Sequence, residues 1–545
     1  MPLPRPFKIF FLTLVATLIA FKVWHSTFPQ TQRPEPLAQD PFVQVYFNHN
    51  QARGRDYTEP YRQITRPGDN LEQVVIDAIN SAQSTVDVAV QELRLPKIAR
   101  SLAQRHQAGV KVRVILENNY SRPFSELSQA EVDRLDRRDR HAYEEFRTLI
   151  DTNKDGQLSA REIDEGDALI ILRHANIPII DDTADGSKGS GLMHHKFAIV
   201  DGFTVIAGSA NFTTSDIHGD FDNPETRGNA NHLLKIENAA LARLFTEEFN
   251  LMWGDGPGGQ FDSKFGVEKP LRNPKLVAIG KTNITVHFSP TSPTYPWSLS
   301  SNGLIGENLN HASNSVDLAL FVFSEQKLAN ILETVHQQGV QIRALIDPEF
   351  AFLPYSEGLD MLGVTLSDRC RYENDNHPWQ EAIATVGVPQ LPKGDKLHHK
   401  FGVVDRHTVI TGSHNWSSAA NHKNDETLLV IQNPTIAAHF TREFEFLYSK
   451  AVLGLPVYVQ EKIKKESQKC PQITTGASPS STIQLININT ASQEELETLP
   501  GIGSTLAERI VEARQQQPFT SLEDLQRVSG ISSKKIQKLY NKVTW

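Results

Sequence analysis

The phrases MHHKFAIVD, from Met193, and LHHKFGVVD, from Leu397, set the same chemistry at two points of one chain. Read onward, both follow one frame: His, any residue, Lys, four residues, Asp, six residues, Gly-Ser, any residue, Asn. Its members are His194, Lys196, Asp201, Gly208, Ser209 and Asn211, then His398, Lys400, Asp405, Gly412, Ser413 and Asn415. Apolar β-formers fill the gaps, so each copy is expected to be a hairpin turning at Asp201-Gly202 or Asp405-Arg406. Residues two apart on a strand share a face. His194 therefore points with Lys196 and His398 with Lys400, while His195 and His399 point the other way as packing groups. Ser209 and Asn211, and likewise Ser413 and Asn415, share a face of the return strand beside these pairs.

The set suits a phosphodiester. One imidazole can attack phosphorus and form a covalent intermediate. A second can protonate the leaving oxygen and then activate water. Two lysines, with serine and asparagine donors, can hold the non-bridging oxygens and offset charge developing in the transition state. Each copy supplies half of this set. Two half-sites are therefore expected to meet across a pseudo-twofold axis within one chain, so a monomer suffices. A duplicated structural hairpin would explain the repetition, but not an identical polar set spaced through apolar strands.

The elements around the phrases repeat as well. STVDVAV…GVKVRVILENN around Val86 matches NSVDLAL…GVQIRALIDPE around Val316 at an offset of 230 residues. Each copy reads as strand, helix ending near Gly, and second strand, a β-α-β unit that implies a largely parallel, helix-covered sheet. VQVYFNHN from Val43 and ITVHFSPT from Ile284 open the two copies. The fold class is thus α/β, with homologous lobes over 43–254 and 284–452 joined by a connector, 255–283. The His phrases are offset by only 204 residues, so the first lobe carries 26 extra residues ahead of His194.

The doubled phrase resembles the signature of the phospholipase D superfamily, and the resemblance spans both lobes. It implies a hydrolase that needs no metal for catalysis and forms a phosphohistidine at the lobe interface. On that resemblance His194 and His398 are nucleophile and general acid/base, in an order left open. Lys196, Lys400, Asn211 and Asn415 bind phosphate, and Asp201 and Asp405 support the hairpin and its charge balance. The family often has a carboxylate downstream that orients the histidine. Glu426 in NDETLLVI supplies one, whereas the matching NANHLLKI has Asn231, so the two histidines are expected to be unequal.

The extra length of lobe one, about 142–170, contains DTNKDGQLSAREID. Asp151, Asn153, Asp155, the Gln157 carbonyl, Ser159 (directly or through a water) and Glu162 fall at the ligand positions of a calcium loop, with Gly156 at its sharp turn. The segment resembles a single EF-hand and implies bound Ca2+ in a structural role. An Asp-rich surface turn that binds nothing is the alternative.

After a Ser/Thr/Pro-rich linker, 453–482, residues 483–545 contain LPGIG and VSGIS, each between amphipathic helices. The segment resembles tandem helix-hairpin-helix units, like those of competence DNA receptors and repair proteins. Gly-rich turns that open helices present free N–H groups to phosphate. Gly501, Gly503 and Gly530, with Lys534 and Lys535, are the expected DNA contacts. The alternative is a protein-docking module.

The chain has 545 residues and a net charge of −9, so no global basic field advertises a nucleic acid, and any polyanion site is local. Its two cysteines, Cys370 and Cys470, exclude a disulfide scaffold or a cysteine-rich metal site and leave one bridge open. Arg5 and Lys8 precede thirteen uncharged residues, Ile9 to Phe21. Residues 1–26 read as a signal anchor, or as a cleaved signal peptide, followed by a linker over 27–42; either exports the rest. The leading expectation is an exported, membrane-tethered phosphodiesterase acting on DNA without sequence preference. A phospholipase D releasing headgroups to leave phosphatidic acid is the first alternative, and a non-catalytic DNA-binding uptake protein the second.

Overall fold

The computed structural model describes residues 33–470 apart from Lys188 and Asn374, and 486–544 apart from 498, 500, 501, 503, 529, 532–538 and 540–542. The hydrophobic segment expected at 1–26 lies outside the described residues. Among those described, no helix is long and apolar enough to cross a membrane. The chain divides into two compact units, Met1–Lys469 and Cys470–Trp545.

The first unit holds both lobes. In lobe one the strand order is Val43–Phe47, His232–Glu237, Thr204–Gly208, Lys196–Val200, Thr85–Val90, Lys111–Leu116, Ile179–Asp181. Lobe two repeats it as Thr282–Ser289, Glu426–Gln432, Thr408–Gly412, Lys400–Val404, Ser315–Leu320, Gln341–Ile346, Val386–Val388, with one further strand at each edge. The expected β-α-β units are present, since Thr85–Val90 runs parallel to Lys111–Leu116 and Ser315–Leu320 to Gln341–Ile346. The expectation of a largely parallel sheet does not hold. The strands from Lys196–Val200 to Val43–Phe47, and their counterparts, are antiparallel. The reason is local: a tight turn can join only antiparallel neighbours, and each His phrase is such a hairpin. Asp201 and Gly202 take the left-handed conformation at one turn, Asp405 and Arg406 at the other.

Helices Ala239–Trp253 and Pro434–Tyr448 follow the last sheet strands and are capped by Asn238 and Asn433. Phe245, Phe249, Phe440 and Phe444 from these helices join Phe197 and Phe401 from the two hairpins in one core shared by both lobes. Separate cores lie under the outer helices of each lobe. The insertion forms helices Arg137–Ile150 and Ala160–Gly166 around the 151–159 loop, then Ala168–His174.

The described parts of the segments expected as linkers, 33–42 and 453–470, are structured. The Pro34 carbonyl accepts from Arg53 N–H, and Ala38 and Glu35 carbonyls accept from His439 and Arg442, tying 33–42 to both lobes. The connector adds strand Lys275–Ile279 to the second sheet. Its Lys269 is buried between Glu248 and Asp425. Residues expected to open the last linker form helix Val457–Lys469, whose Val459 enters the second-lobe core. Cys370 and Cys470 are disulfide-bonded.

The second unit has its own core, including Ile488, Leu496, Ile510, Phe519 and Leu525, and a parallel pairing of Ile486–Asn487 with Val543–Thr544. Helices Gln493–Glu497 and Ser504–Gln516 flank LPGIG as expected. The stretch before VSGIS is a 3-10 turn, Glu523–Arg527, rather than the expected α-helix.

Candidate active site

Each His phrase leads into a central strand of its sheet, beginning where the chain meets the other lobe. The backbone crosses there twice: His194 N–H donates to the Asp425 carbonyl at 2.9 Å, and His398 N–H to the Ala230 carbonyl at 3.1 Å. The side chains cross in the same sense. His194 Nδ1 meets Glu426 Oε2 at 2.7 Å, and His398 Nδ1 meets Asn231 Oδ1 at 3.0 Å. Each histidine is thus oriented by a residue of the opposite lobe. Both rings are held at Nδ1, and no hydrogen bond among the described residues engages either Nε2. The expected inequality of the histidines takes this form: His194 has a carboxylate partner and His398 an amide. Asp216, which sequence reasoning did not single out, stands 3.7 Å from His398 Nδ1 and supplies the negative charge Asn231 lacks. Its carboxylate also accepts from Asn211 N–H at 2.7 Å and Asn229 Nδ2 at 2.6 Å.

The lysines are buried beside the histidines. Lys196 Nζ donates to Gln91 Oε1 at 3.2 Å and to the His194 carbonyl at 3.1 Å. Lys400 Nζ donates to the His398 carbonyl at 2.6 Å and lies over the Phe321 ring. Gln91 and Phe321 are counterparts at the 230-residue offset, so one lysine rests on an amide and the other on an aromatic face. Burial pushes Lys196 down to about 8 and Lys400 well below the usual lysine range. Both imidazoles are held well below their ordinary value, by burial first and then by the charges of both lysines. Burial pushes Glu426 up, though His414 and Lys196 oppose it. One pocket therefore gathers cationic groups from two lobes in a dry setting, where an anion gains most.

The remaining expected residues divide into those that reach this pocket and those that do not. The side-chain amides of Asn211 and Asn415 have no hydrogen-bond partner among the described residues, and their Oδ1 atoms are buried. The serines are committed elsewhere, contrary to expectation: Ser209 donates to Asn231 at 2.7 Å and Ser413 to Glu426 at 2.8 Å. They hold the residues that hold the histidines, because their short side chains reach the neighbouring strand rather than the pocket. Glu426 orients a histidine, as the resemblance implies, and the one it meets is His194 of the other lobe. Asp201 and Asp405 complete the motif in sequence but not the cluster in space. Each sits at its hairpin turn and accepts N–H groups from the loop before the adjacent strand, Gln83–Thr85 and Ser313–Ser315. Five strand residues from the lysine place them about 16 Å away.

His195 and His399 anchor the far face as expected, meeting Glu248 at 3.0 Å and Glu443 at 3.2 Å on the two central helices. Glu117 and Asp347, a further 230-residue pair, accept the Met193 and Leu397 N–H groups at 2.6 and 2.8 Å. Extending the repeat past strands Lys111–Leu116 and Gln341–Ile346 is the signal that finds them.

In the insertion, Gly156 is left-handed at the sharp turn and accepts Arg147 at its carbonyl. Asp151 Oδ2, Asn153 Oδ1 and Asp155 Oδ1 accept loop N–H groups from Gly156, Asp155 and Gln157. Glu162 closes the loop onto Thr152, Asn153 and Ser159. Asp151 Oδ1 is buried without a partner. Of the expected DNA contacts, Gly501, Gly503, Lys534 and Lys535 lie outside the described residues. Gly530 is left-handed, as its turn requires.

A model described as "Cardiolipin synthase, PLD-like domain" matches residues 75–253 and 305–448, and one described as "Helix-hairpin-helix motif" matches 481–544. The chain belongs to the phospholipase D-like domain family. Human mitochondrial cardiolipin hydrolase is 29% identical over 139 residues, covering 26% of this chain and 47% of the relative. The Xenopus laevis protein of that name is 29% identical over 185 residues, covering 33% and 79%. The chain thus spans about half the length of the human relative and more of the amphibian one. Phosphatidylserine synthase from Haemophilus influenzae Rd KW20 is 12% identical, with a TM-score of 0.45 covering 80% of this chain and 95% of that one.

The crossed pairing makes a direct prediction. Asn231→Asp places an anion against His398 Nδ1, so the His398 imidazole pKa, followed by NMR, rises by about 1–3 pH units. An unchanged His398 titration would contradict the assigned contact.

Proposed function

We propose that the chain hydrolyses phosphodiesters through a covalent phosphohistidine, and that DNA is its substrate. The observation that carries the chemistry is the pair of imidazoles, one per lobe, each held at Nδ1 with Nε2 free. His194 is the nucleophile in this reading. N-phosphorylation leaves a cationic ring, and the Glu426 carboxylate offsets that charge where an amide would not. His398 is the general acid: the bound phosphate anion, with Asp216 at 3.7 Å, favours its protonation, and its direct partner, the neutral Asn231, lets that proton go more readily than a carboxylate would. His194 Nε2 bonds to phosphorus as the leaving oxygen departs with the His398 proton. His398 then takes a proton from water, whose oxygen displaces His194. Lys196, Lys400, Asn211 and Asn415 hold the non-bridging oxygens, and the lysine charges favour the anionic substrate over the empty pocket. Asp216, Ser209 and Ser413 act as positioning residues. Both half-sites belong to one chain, so no partner is needed.

The helix-hairpin-helix match supports DNA over lipid, in the manner of competence DNA receptors: turns with free N–H groups hold phosphate without reading bases. The lipid reading draws on the relatives named cardiolipin hydrolase, and on an N-terminal segment suited to anchoring at a membrane. Export is supported by that segment and by the disulfide, which persists in oxidising compartments. Ca2+ is assigned to the insertion through Asp151, Asn153, Asp155, the Gln157 carbonyl and Glu162, with the orphaned Asp151 oxygen as support; it holds the loop and takes no part in catalysis.

Plasmid nicking and headgroup release from vesicles, measured side by side with and without residues 483–545, separate the substrates. The full chain is expected to nick DNA, and truncation to weaken DNA binding equally for all sequences and to flatten its salt dependence. A small chromogenic phosphodiester should be turned over equally by both. Headgroup release without nicking at any salt would establish the lipid reading instead. Calcium should raise the melting temperature of the wild type but not of Asp151→Ala. A wild type that melts identically with and without calcium would exclude the loop as a calcium site.

A further inference from the structure

Beside the calcium-like loop, and separate from it, the insertion helix Arg137–Ile150 meets the segment that follows the first His phrase. His141 on that helix, Asp220 and Asp222 bring one ligand atom each within 4.8 Å of one another, the one such trio of His, Cys, Asp or Glu among the described residues. His141 Nε2 stands 3.9 Å from Asp222 Oδ2, and both side chains are exposed. Asp220 differs, being only 7% exposed. No hydrogen bond or ion pair among the described residues reaches its carboxylate. Its backbone, by contrast, is fully engaged: N–H donates to Thr226 Oγ1 at 2.8 Å, and the carbonyl accepts Arg62 at 2.7 Å. The Asp220 side chain is thus mostly buried yet takes no donor from the protein, which leaves its oxygens open to a ligand at the surface it shares with His141 and Asp222.

The nearby cations are committed elsewhere. Arg62 spends its guanidinium on Glu59 and on the carbonyls of His218, Asp220, Asn223 and Thr226. Lys396 pairs with Glu349 at 2.7 Å. The other charges around the carboxylate are negative. Glu145, one helical turn from His141, is buried and accepts Phe221 N–H with both oxygens. Asp395 accepts Arg227 N–H at 2.8 Å. Burial pushes Glu145 and Asp395 up to about 7, and Asp220 adds to both shifts. Gly394 closes the back of the site: a Cβ there would lie 2.5 Å from Asp220 Oδ2.

We propose that His141, Asp220 and Asp222 form a structural site for a divalent cation of the zinc class. Two carboxylates and one imidazole match borderline ions that accept nitrogen and oxygen together, whereas calcium and magnesium take oxygen donors. Zinc at about 2.0–2.1 Å from each donor needs the donors about 3.3 Å apart. Rotation of the exposed His141 and Asp222 closes the remaining gap onto the fixed Asp220. The fourth position takes water. The ion would fasten the insertion helix to the 218–226 segment, which leads to Asn229 and Asn231 at the histidine pocket.

The test is calorimetric titration of Zn2+ into the chelator-stripped full chain, with melting followed in parallel. The wild type should bind one Zn2+ and melt higher with it. His141→Gln, Asp222→Asn and Asp220→Asn should each bind at least about tenfold more weakly. Asp222 and His141 are exposed, so their variants keep the metal-free melting temperature even if Asp220→Asn does not fold. Asp151→Ala and His398→Asn should bind zinc like the wild type. No zinc binding by the wild type, equal binding by the His141 and Asp222 variants, or loss in Asp151→Ala or His398→Asn would overturn the site. Displacement of zinc by an equal concentration of calcium would overturn the class of ion.

Discussion

The contact between His194 Nδ1 and Glu426 Oε2, 2.7 Å across the lobe boundary, sets the terms for the rest of the molecule. An imidazole can be held this way only if the strands bearing the two residues are fixed to one another, and the His194–Asp425 and His398–Ala230 backbone bonds do that. Behind them, Lys269 from the connector is buried against both Glu248 and Asp425. Glu248 in turn receives His195, next to His194 in the chain. Removing one member of such a buried charge cluster costs about 3–5 kcal/mol, so the site's geometry and the stability of the lobe interface rest on the same residues.

The pseudo-twofold is obeyed by the backbone and broken by the side chains. Glu426 has Asn231 as its counterpart, Gln91 has Phe321, and His195 Nδ1 meets the Thr427 hydroxyl where its counterpart His399 meets the His232 ring. Duplication provides two identical chemical sets, while turnover needs a nucleophile and an acid of different strength. Asn231 and Asp216 together give His398 a partner that is weaker and more distant than the one given to His194.

Much of this was legible in the chain alone. The frame of His, Lys, Gly-Ser and Asn located both hairpins, because alternation marks the face shared by His194 and Lys196. The 230-residue offset marked both β-α-β units and would have given Glu117 and Asp347. Strand direction was misread, since an apolar run buried on both faces looks alike in parallel and antiparallel sheets. The crossing of Glu426 to His194 was not legible either: it depends on how two lobes face each other, and no local periodicity encodes that. The serines read as phosphate donors by type, but their reach on the return strand leads them to Asn231 and Glu426. Segments 33–42 and 457–469 read as linkers by composition, yet tertiary contacts order them.

The central claim is that one histidine from each lobe completes a single site, with His194 carrying the phosphoryl group. Rapid acid-free quenching during turnover, followed by mass-spectrometric mapping, tests it most directly. Phosphoryl adduct should appear on the His194 peptide, persist longest in His398→Asn with an activated substrate, and be absent in His194→Asn. Adduct on His398, or substantial turnover in either single variant, would contradict the account.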